Sequence, residues 1–242
     1  MPPAAPSDLV ALIAERAARV RERIAQACAR AGRAPDEVTL VAVTKTFPAE
    51  VVRAAVAAGL RDFGENRVQE LVEKAEAVPG EAAGGDVRWH LIGHLQRNKA
   101  RDAARHADAF HALDSLRLAE ALDRRAAAEG RVLPCLVQVN VSAEDTKSGV
   151  APDQAHALLD ALAPLAHLRV EGLMTLAAPA DTEEELETVV RPQFRRLRRL
   201  AETYPGGGLR FLSMGMSGDY EVAVEEGATH VRIGSALFGP RE

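Results

Sequence analysis

The stretch "VTLVAVTKTFPAEVVRAAVAAG" (residues 38–59) joins an apolar, β-branched run to a helical pattern. The run at 38–45 is typical of a buried strand and ends at Lys45. The helical pattern opens at Pro48 and closes at Gly59, and proline and glycine are favoured at these two ends of a helix. This unit of one strand followed by one helix recurs along the rest of the chain.

Seven further strand candidates follow, and helical patterns separate most of them. They lie at 60–66, 87–93, 107–113, 132–141, 168–177, 209–216 and 229–235. Strands that alternate with helices predict parallel βαβ units, and eight of them predict a single closed (β/α)8 barrel. The alternative is an open, doubly wound sheet, but no glycine-rich dinucleotide fingerprint follows the first strand. Pro192 interrupts the longest helical pattern, where it either begins a new helix or kinks the old one.

Residues 1–32 precede this repeat and carry a helical pattern of their own. Its apolar residues recur on one face: Leu9, Ile13, Val20 and Ile24. Gly32 marks the end of the pattern. We expect an N-terminal helix that packs on the barrel, and a single domain over 1–242, because no shift in composition marks a boundary.

Charge and composition exclude several classes of protein. The net charge of −5 argues against non-specific binding to nucleic acid. The N-terminal pattern interleaves Arg and Glu, unlike a signal peptide, and no apolar stretch reaches the roughly 20 residues that span a bilayer. Cys28 and Cys135 lie in apolar patterns, which is typical of buried thiols in a reducing compartment. We therefore expect a cytoplasmic protein with no membrane or nucleic-acid partner.

Lysine is scarce in this chain. Of its 30 basic residues only four are lysines, and one of these, Lys45, ends the first strand. Arginine can replace lysine wherever only a positive charge is needed, but not as an amine that loses its proton and attacks a carbonyl. Lys45 is therefore a candidate for Schiff-base chemistry. The other interpretation is a lysine that extends to solvent at the barrel rim.

The segments after the seventh and eighth strands are candidates for binding phosphate. "MGMSGD" (214–219) includes Met216 and Ser217, at the predicted start of a helix, and "RIGSALFG" (232–239) includes Gly234 and Ser235. Loops at these places in eight-stranded barrels often bind phosphate through backbone N–H groups. Ordinary turn glycines are the alternative interpretation.

Arg232 lies within the eighth strand between Val231 and Ile233. A buried guanidinium needs a partner, so Arg232 either pairs with a carboxylate or faces a ligand. An amine that seeks a carbonyl, a phosphate site and an arginine between them match pyridoxal 5′-phosphate, which has an aldehyde, a phosphate and a ring nitrogen.

Four other polar residues are open to two interpretations. His90 and His94 lie four residues apart, but Gly93 and the strand pattern argue against a helical metal face, and we expect no metal site. Glu65 and Asn66 follow the second strand, where they either cap the next helix or orient Lys45 and the ligand.

Five stretches resemble the pyridoxal phosphate homeostasis protein family. They are "LVAVTKTFP" (40–48), "FGENRVQE" (63–70), "WHLIGHLQRNK" (89–99), "GLMTLA" (172–177) and "LSMGMSGDYEVAVEEGATHVRIGSALFG" (212–239). Members of that family look like the barrel domain of alanine racemase without its second domain, the type III fold of pyridoxal phosphate proteins. The departures are Thr44 in place of the more common Ser, and Leu91 in place of an aromatic residue or Met.

The resemblance implies a role for each candidate residue. Lys45 would carry the cofactor as an internal aldimine, and Arg232 would face the pyridine nitrogen. The remaining cofactor-binding residues would surround the phosphate: Asn66, Met216, Ser217, Gly234 and Ser235.

By the same resemblance we expect a monomeric protein that buffers pyridoxal phosphate and supplies it to apoenzymes, without robust catalysis of its own. Tyr204 and Tyr220 lie in helical patterns, so no phenol is evident as a second base. A guanidinium keeps its protons and would leave the ring nitrogen unprotonated. The alternatives are a small amino-acid racemase and a Schiff-base aldolase that acts on a phosphorylated sugar.

Overall fold

The structure, a computed structural model, describes residues 7–78, 87–142 and 148–240. Within these ranges eight parallel strands close into a barrel in chain order, because the first strand also pairs with the last. The strands are β1 Thr39–Val43, β2 Asp62–Glu65, β3 Arg88–Leu91, β4 Ala109–Leu113, β5 Leu133–Gln138, β6 Leu168–Met174, β7 Phe211–Ser213 and β8 His230–Ile233. The predicted (β/α)8 barrel is confirmed, and the open, doubly wound sheet is excluded.

Helices surround the barrel and follow its strands. In the described ranges they are α1 Ser7–Arg30, α2 Ala49–Ala57, α3 Val68–Ala77, α4 Ala100–His106, α5 Leu116–Ala128, α6 Ala155–Leu162, α7 Glu183–Glu185, α8 Arg191–Glu202, α9 Tyr220–Glu225 and α10 Ser235–Phe238. None of these helices has the length and apolar character needed to cross a membrane.

The strands are shorter than the apolar runs that predict them. β1 ends at Val43, so Lys45 lies in the turn that follows and not in the strand. Ser217 likewise precedes the helix that it was predicted to begin, since Asp219 is the N-cap residue of α9. In both cases the chain leaves the sheet to form a turn above the barrel, and these turns carry the candidate site.

Pro192 does not begin a separate helix, because the chain is helical without a break from Glu183 to Glu202. It is the second residue of α8, and a turn of π-helix at Leu186–Val190 precedes it. Proline has no N–H to donate, and its ring crowds the carbonyl group four residues earlier. A widened turn accommodates such a break in the hydrogen-bond ladder.

Helix α1 covers the line where β1 meets β8, which we call the seam. It packs on α2, α9 and α10, the helices that follow β1, β7 and β8. Its buried face is apolar, as predicted: Ile13, Ala17, Val20, Ile24, Ala27 and Cys28. Just beyond the helix, Arg33 Nη1 donates hydrogen bonds to the carbonyls of Val224 and Ala228, at 2.7 and 2.9 Å.

The predicted extent of this N-terminal element begins at residue 1, and residues 1–6 lie outside the described part of the chain. Residues 79–86, whose glycine content predicts a loop, also lie outside the described part of the chain. A single domain over 1–242 stays a prediction.

The barrel wall leaves no room for a side chain at Gly172. A Cβ atom built on this residue of β6 would lie 1.8 Å from the carbonyl oxygen of Phe211 in β7. The two residues are paired in the sheet, so only a shift of one strand could make space.

We expect Gly172→Ala to lower the free energy of unfolding by about 3 kcal/mol, at the upper end of the usual range for overpacking. Gly218→Ala is the control, because a Cβ atom there meets nothing within 4 Å. Urea denaturation of the two variants measures the difference. Equal stability of the two would show that the β6–β7 pairing is looser than described.

Candidate functional site

The seven residues predicted to bind a cofactor belong to four neighbouring strands of the barrel. Lys45 follows β1, Asn66 follows β2, Met216 and Ser217 follow β7, and Arg232, Gly234 and Ser235 lie within or just after β8. In barrel order these strands are β7, β8, β1 and β2, so the candidate site straddles the seam. The structure therefore gathers all seven residues in one sector of the barrel.

Arg232 lies deeper in the barrel than Lys45. Val41 of β1 pairs with Arg232 of β8. Lys45 follows Val41 by four residues and lies beyond the end of β1. Both side chains are long enough to reach toward the space between these two levels.

Lys45 is half-buried in a tight turn. Thr46 has a φ of 69°, a left-handed conformation that is uncommon for a residue other than glycine. Its N–H donates to Glu70 Oε2 at 2.8 Å, and the N–H of Phe47 donates to the carbonyl of Thr44 at 3.0 Å. These contacts hold the chain on both sides of Lys45 and define the path of its backbone.

A buried ion pair supports this turn from outside the barrel. Lys74 of α3 donates to Glu65 Oε1 at 2.6 Å and to the carbonyl of Thr44 at 2.7 Å. The hydroxyl of Thr44 also donates to Glu65 Oε1, at 2.6 Å. A serine at this position would provide the same hydroxyl group. The residue next to Lys45 is therefore fixed through both its backbone and its side chain.

The pKa values of the two carboxylates beside Lys74 are shifted in opposite directions. Burial raises the pKa of Glu65, and the hydrogen bonds from Lys74 and Thr44 oppose this only in part. Burial also acts to raise the pKa of Glu70, but the N–H of Thr46 and the charge of Lys74 outweigh it and lower that pKa. Glu65 Oε2 has no hydrogen-bond partner among the described residues, so the charge of Lys74 is the main compensation for this buried carboxylate.

Arg232 is buried, and its hydrogen-bond acceptors are uncharged. Nη1 donates to Ser213 Oγ at 2.7 Å, and Nη2 donates to the carbonyl of Thr175 at 2.8 Å. Burial lowers the pKa of Arg232 to about 10, while the nearby carboxylate of Asp219 opposes the change. The side chain therefore stays cationic at neutral pH. A guanidinium has five N–H donors, so it can also serve a ligand.

The turn after β7 is built around Gly215. Its φ is 93°, and a Cβ atom there would lie 2.6 Å from the Cβ of Ala223. The N–H of Met216 donates to Asp219 Oδ1 at 2.5 Å, which closes the turn. Burial raises the pKa of Asp219, although this N–H and the charge of Arg232 both act to lower it.

A hydrogen bond joins the two predicted phosphate loops. The N–H of Ala236 in α10 donates to Ser217 Oγ at 3.3 Å. Gly234 is buried at the end of β8, whereas Ser235 is exposed at the first position of α10. Ser217, Gly234 and Ser235 thus lie on connected loops, as a shared phosphate site requires.

Asn66 is held by close contact between backbones. A Cβ atom on Gly93 would lie 2.3 Å from the carbonyl oxygen of Asn66. Asn66 is half-buried and precedes Arg67, the N-cap residue of α3, so it does not cap that helix. Glu65 does not cap it either, because its carboxylate binds Lys74. Of the two interpretations open for Glu65 and Asn66, capping is therefore wrong.

Four further side chains form a series with Arg232 that the sequence did not reveal. Arg232 Nη1 contacts Ser213 Oγ, which lies 2.9 Å from His111 Nδ1. His111 Nε2 lies 3.0 Å from His90 Nδ1, and His90 Nε2 lies 2.9 Å from Asp62 Oδ1. We call these five residues the interior relay. It crosses the barrel interior from β8 through β7, β4 and β3 to β2.

A polar residue in each of several short strands is the one sequence feature that points to this relay. In the sequence, the spacing of His90 and His94 draws attention to metal binding and not to the relay. The structure separates the two, since His94 is exposed and lies 3.4 Å from Asp114. Among the residues described, no group of three or more His, Cys, Asp or Glu side chains is arranged to hold a metal ion.

Comparisons with known proteins agree with one another on the family that this chain resembles. Residues 16–242 match the family model described as alanine racemase, N-terminal domain. The chain is 43% identical over 231 residues to the pyridoxal phosphate homeostasis protein of Aquifex aeolicus, covering 94% of this chain and 98% of that protein. The protein of the same name from Pseudomonas aeruginosa is 47% identical over 230 residues, covering 95% and 96%.

A solved structure extends the likeness to three dimensions. PipY of Synechococcus elongatus PCC7942, determined with PLP bound, is 39% identical to this chain. The two structures superpose with a TM-score of 0.78, over 94% of this chain and all of PipY.

We expect Lys74→Met to lower the free energy of unfolding by about 3–5 kcal/mol, because it leaves the carboxylate of Glu65 buried without its partner. Lys99→Met, on a half-buried lysine just before α4, is the control, with an expected change below about 0.5 kcal/mol. Chemical denaturation followed by circular dichroism measures both. A loss in Lys74→Met no larger than in the control would contradict the role given to this ion pair.

Proposed function

The chain belongs to the pyridoxal phosphate homeostasis protein family, whose barrel matches the N-terminal domain of alanine racemase, and from this premise we propose that it binds pyridoxal 5′-phosphate. In this proposal the protein holds the cofactor reversibly, buffers its free concentration and supplies it to apoenzymes. It does so without robust catalysis of its own.

The buried guanidinium of Arg232 is the observation that carries the proposal. A charge removed from water is normally paired with an opposite charge. Arg232 instead contacts a hydroxyl and a carbonyl, and the carboxylate of Asp219 acts on its charge only from a distance. A ring nitrogen that accepts a hydrogen bond fits this donor.

The other candidate residues fit the remaining parts of the cofactor. Lys45 provides an amine in a fixed turn near the open end of the barrel. Ser217, Gly234 and Ser235 provide hydroxyl groups and backbone N–H groups on connected loops, which suit a phosphate. Asn66 and Met216 lie beside these loops and the turn of Lys45, where they contact the edges of the ligand.

The same residues give little support to amino-acid chemistry. When bound, pyridoxal phosphate supplies an aldehyde that reacts with amines and a ring that can stabilise a carbanion if its nitrogen is protonated. Arg232 keeps its own protons and therefore gives none to that nitrogen. Without a protonated nitrogen the ring is a weak electron sink.

Among the residues that the structure describes, a second acid or base is not evident at the site either. The hydroxyl of Tyr204 donates to Asp160 at 2.9 Å, on the outer layer of helices. The ring of Tyr220 lies under the guanidinium of Arg23 from α1, at 5.7 Å. Racemisation needs a proton donor and acceptor on opposite faces of the reacting carbon, and neither phenol supplies one.

Release of the cofactor to another protein requires an open site. Met216 is 40% exposed and Leu176 is 36% exposed at this end of the barrel. Cys28 and Cys135 are free and buried, which suits a reducing cytoplasm. A monomer that delivers its cofactor to apoenzymes in the cytoplasm is thus part of the proposal.

We predict that Lys45 is the lysine that reacts with the cofactor. Treatment of the yellow complex with borohydride, followed by peptide mass mapping, should leave the added mass on Lys45. Lys45→Arg should lose the yellow colour, and Lys99→Arg should keep it. An added mass found mainly on Lys74, Lys99 or Lys147 would contradict the assignment.

We expect negligible racemisation or transamination of common amino acids at saturating pyridoxal phosphate, measured by chiral chromatography against a control without protein. A turnover rate several orders of magnitude above that of free pyridoxal phosphate, and abolished in Lys45→Ala, would contradict the carrier function and identify the protein as a racemase. A colourless protein that forms a borohydride-reducible adduct with a phosphorylated sugar would favour the aldolase instead.

A further inference from the structure

All five residues of the interior relay are buried. The exposed fractions of its five members lie between 0 and 7%: Asp62, His90, His111, Ser213 and Arg232. Interiors of such barrels are usually packed with branched apolar side chains. A buried polar group cannot turn to bulk water, so each donor and acceptor in the relay depends on its neighbours.

The two ends of the relay have opposite capacities. Arg232 can only donate hydrogen bonds. At the far end, burial acts to raise the pKa of Asp62, but hydrogen bonds from His90 and Arg88 outweigh it and lower that pKa. Arg88 Nη2 donates to Asp62 Oδ2 at 2.7 Å. Asp62 is therefore a carboxylate that only accepts.

These two ends determine where the protons between them lie. Ser213 Oγ accepts from Arg232 and donates its own proton to His111 Nδ1. His111 then donates from Nε2 to His90 Nδ1, and His90 donates from Nε2 to Asp62. Each of the four hydrogen bonds receives one proton, and both imidazoles are neutral. Every donor is directed away from Arg232.

Two observations agree with a neutral His111. Its pKa lies well below the usual value because it is buried and because His90, His230 and Arg232 surround it. His230, whose ring centroid is 5.8 Å from that of His111, also has its pKa lowered by burial, to about 3. The charge of Arg232 acts on both imidazoles, and that of Arg88 also acts on His230.

The opposite arrangement puts a second cation into the barrel interior. If His111 carried its proton on Nδ1, Ser213 Oγ would meet two donors at once, His111 and Arg232. His111 Nε2 would then need a proton from His90 Nδ1, and His90 would also need one for Asp62. His90 would become an imidazolium, a second buried cation in the same barrel interior.

We propose that His111 is a positioning residue for the cofactor: by accepting the proton of Ser213 it fixes the hydroxyl that anchors the Arg232 guanidinium. The anchored guanidinium then presents its free N–H groups at one orientation toward the ring nitrogen of pyridoxal phosphate. This inference rests on the proposed function, because it concerns the same bound ring. Without His111 the Ser213 hydroxyl loses its own acceptor and is held less firmly, and the carbonyl of Thr175 is then the one acceptor of Arg232 that stays fixed.

Two variants of His111 distinguish a role in positioning the Ser213 hydroxyl from a role in filling space. His111→Phe keeps a ring but loses the acceptor, whereas His111→Asn keeps an acceptor near the Nδ1 position but leaves unfilled volume. We expect pyridoxal phosphate to bind about tenfold more weakly to His111→Phe, equivalent to one hydrogen bond to a charged group, and within about threefold of wild type to His111→Asn. His156→Phe, on a half-buried histidine of α6, is the control and should bind as wild type does.

The route through Ser213 has its own test. Ser213→Ala should weaken binding about as much as His111→Phe, and the double variant should be no weaker than either single one. Affinities are measured by absorbance titration with pyridoxal phosphate. Tight binding by His111→Phe with weak binding by His111→Asn, or additive losses in the double variant, would overturn the inference.

The proton positions can be observed without any cofactor. Long-range proton–nitrogen NMR spectra of the wild-type protein distinguish the two neutral imidazole tautomers, and the loss of one signal in His111→Asn assigns it. We expect the Nε2–H tautomer for His111. An Nδ1–H tautomer or an imidazolium would overturn the inference even if His111→Phe did not fold.

The failures of the two proposals are distinguishable. A wild-type protein that does not bind pyridoxal phosphate overturns the proposed function and this inference with it. A wild-type protein that binds it, with His111→Phe equal to wild type in affinity, overturns the inference alone.

Discussion

The guanidinium of Arg232 is a permanent cation inside the barrel, and removing such a charge from water costs several kcal/mol. Its direct acceptors are neutral, and the carboxylate that acts on its charge, that of Asp219, does so from a distance. The polar residues of five different strands follow from this one requirement. They occupy interior positions that would otherwise hold apolar side chains, and the protein gives up apolar packing there to retain the charge.

Lys74 is a second buried cation, and its charge is compensated in a different way. Lys74 lies outside the barrel wall and contacts a carboxylate directly, at 2.6 Å. Its role is structural, since its ammonium group also binds the backbone carbonyl next to Lys45. Two of the four lysines therefore act on the same turn, one by presenting an amine and the other by holding the chain that presents it. Arginine would not fit the second role easily, because its planar fork is much larger than an ammonium group.

Much of this architecture is predictable from the sequence, because strands and helices leave local periodic patterns. The eight strands, the N-terminal helix and the residues that follow β1, β2, β7 and β8 all come from such patterns. The relay does not, since His111 and Ser213 are 102 residues apart and meet only when the barrel closes. Lys74 was missed for a related reason: on a helix, an exposed lysine and one that turns inward to a carboxylate have the same local sequence. The ends of the strands were also misplaced, because an apolar run continues into a turn when the turn itself is partly buried.

The seam beneath α1 ties ligand binding to the closure of the barrel. Strands β8 and β1 are the final and first of the chain, and their pairing completes the barrel. The candidate site draws on strands from both sides of that junction, so an open barrel offers only separate halves of it. A ligand that binds the closed form alone stabilises closure by mass action, in proportion to the logarithm of its concentration once that exceeds the dissociation constant. The resistance of the seam to local opening, and with it to proteolysis, would then rise and fall with the supply of free cofactor.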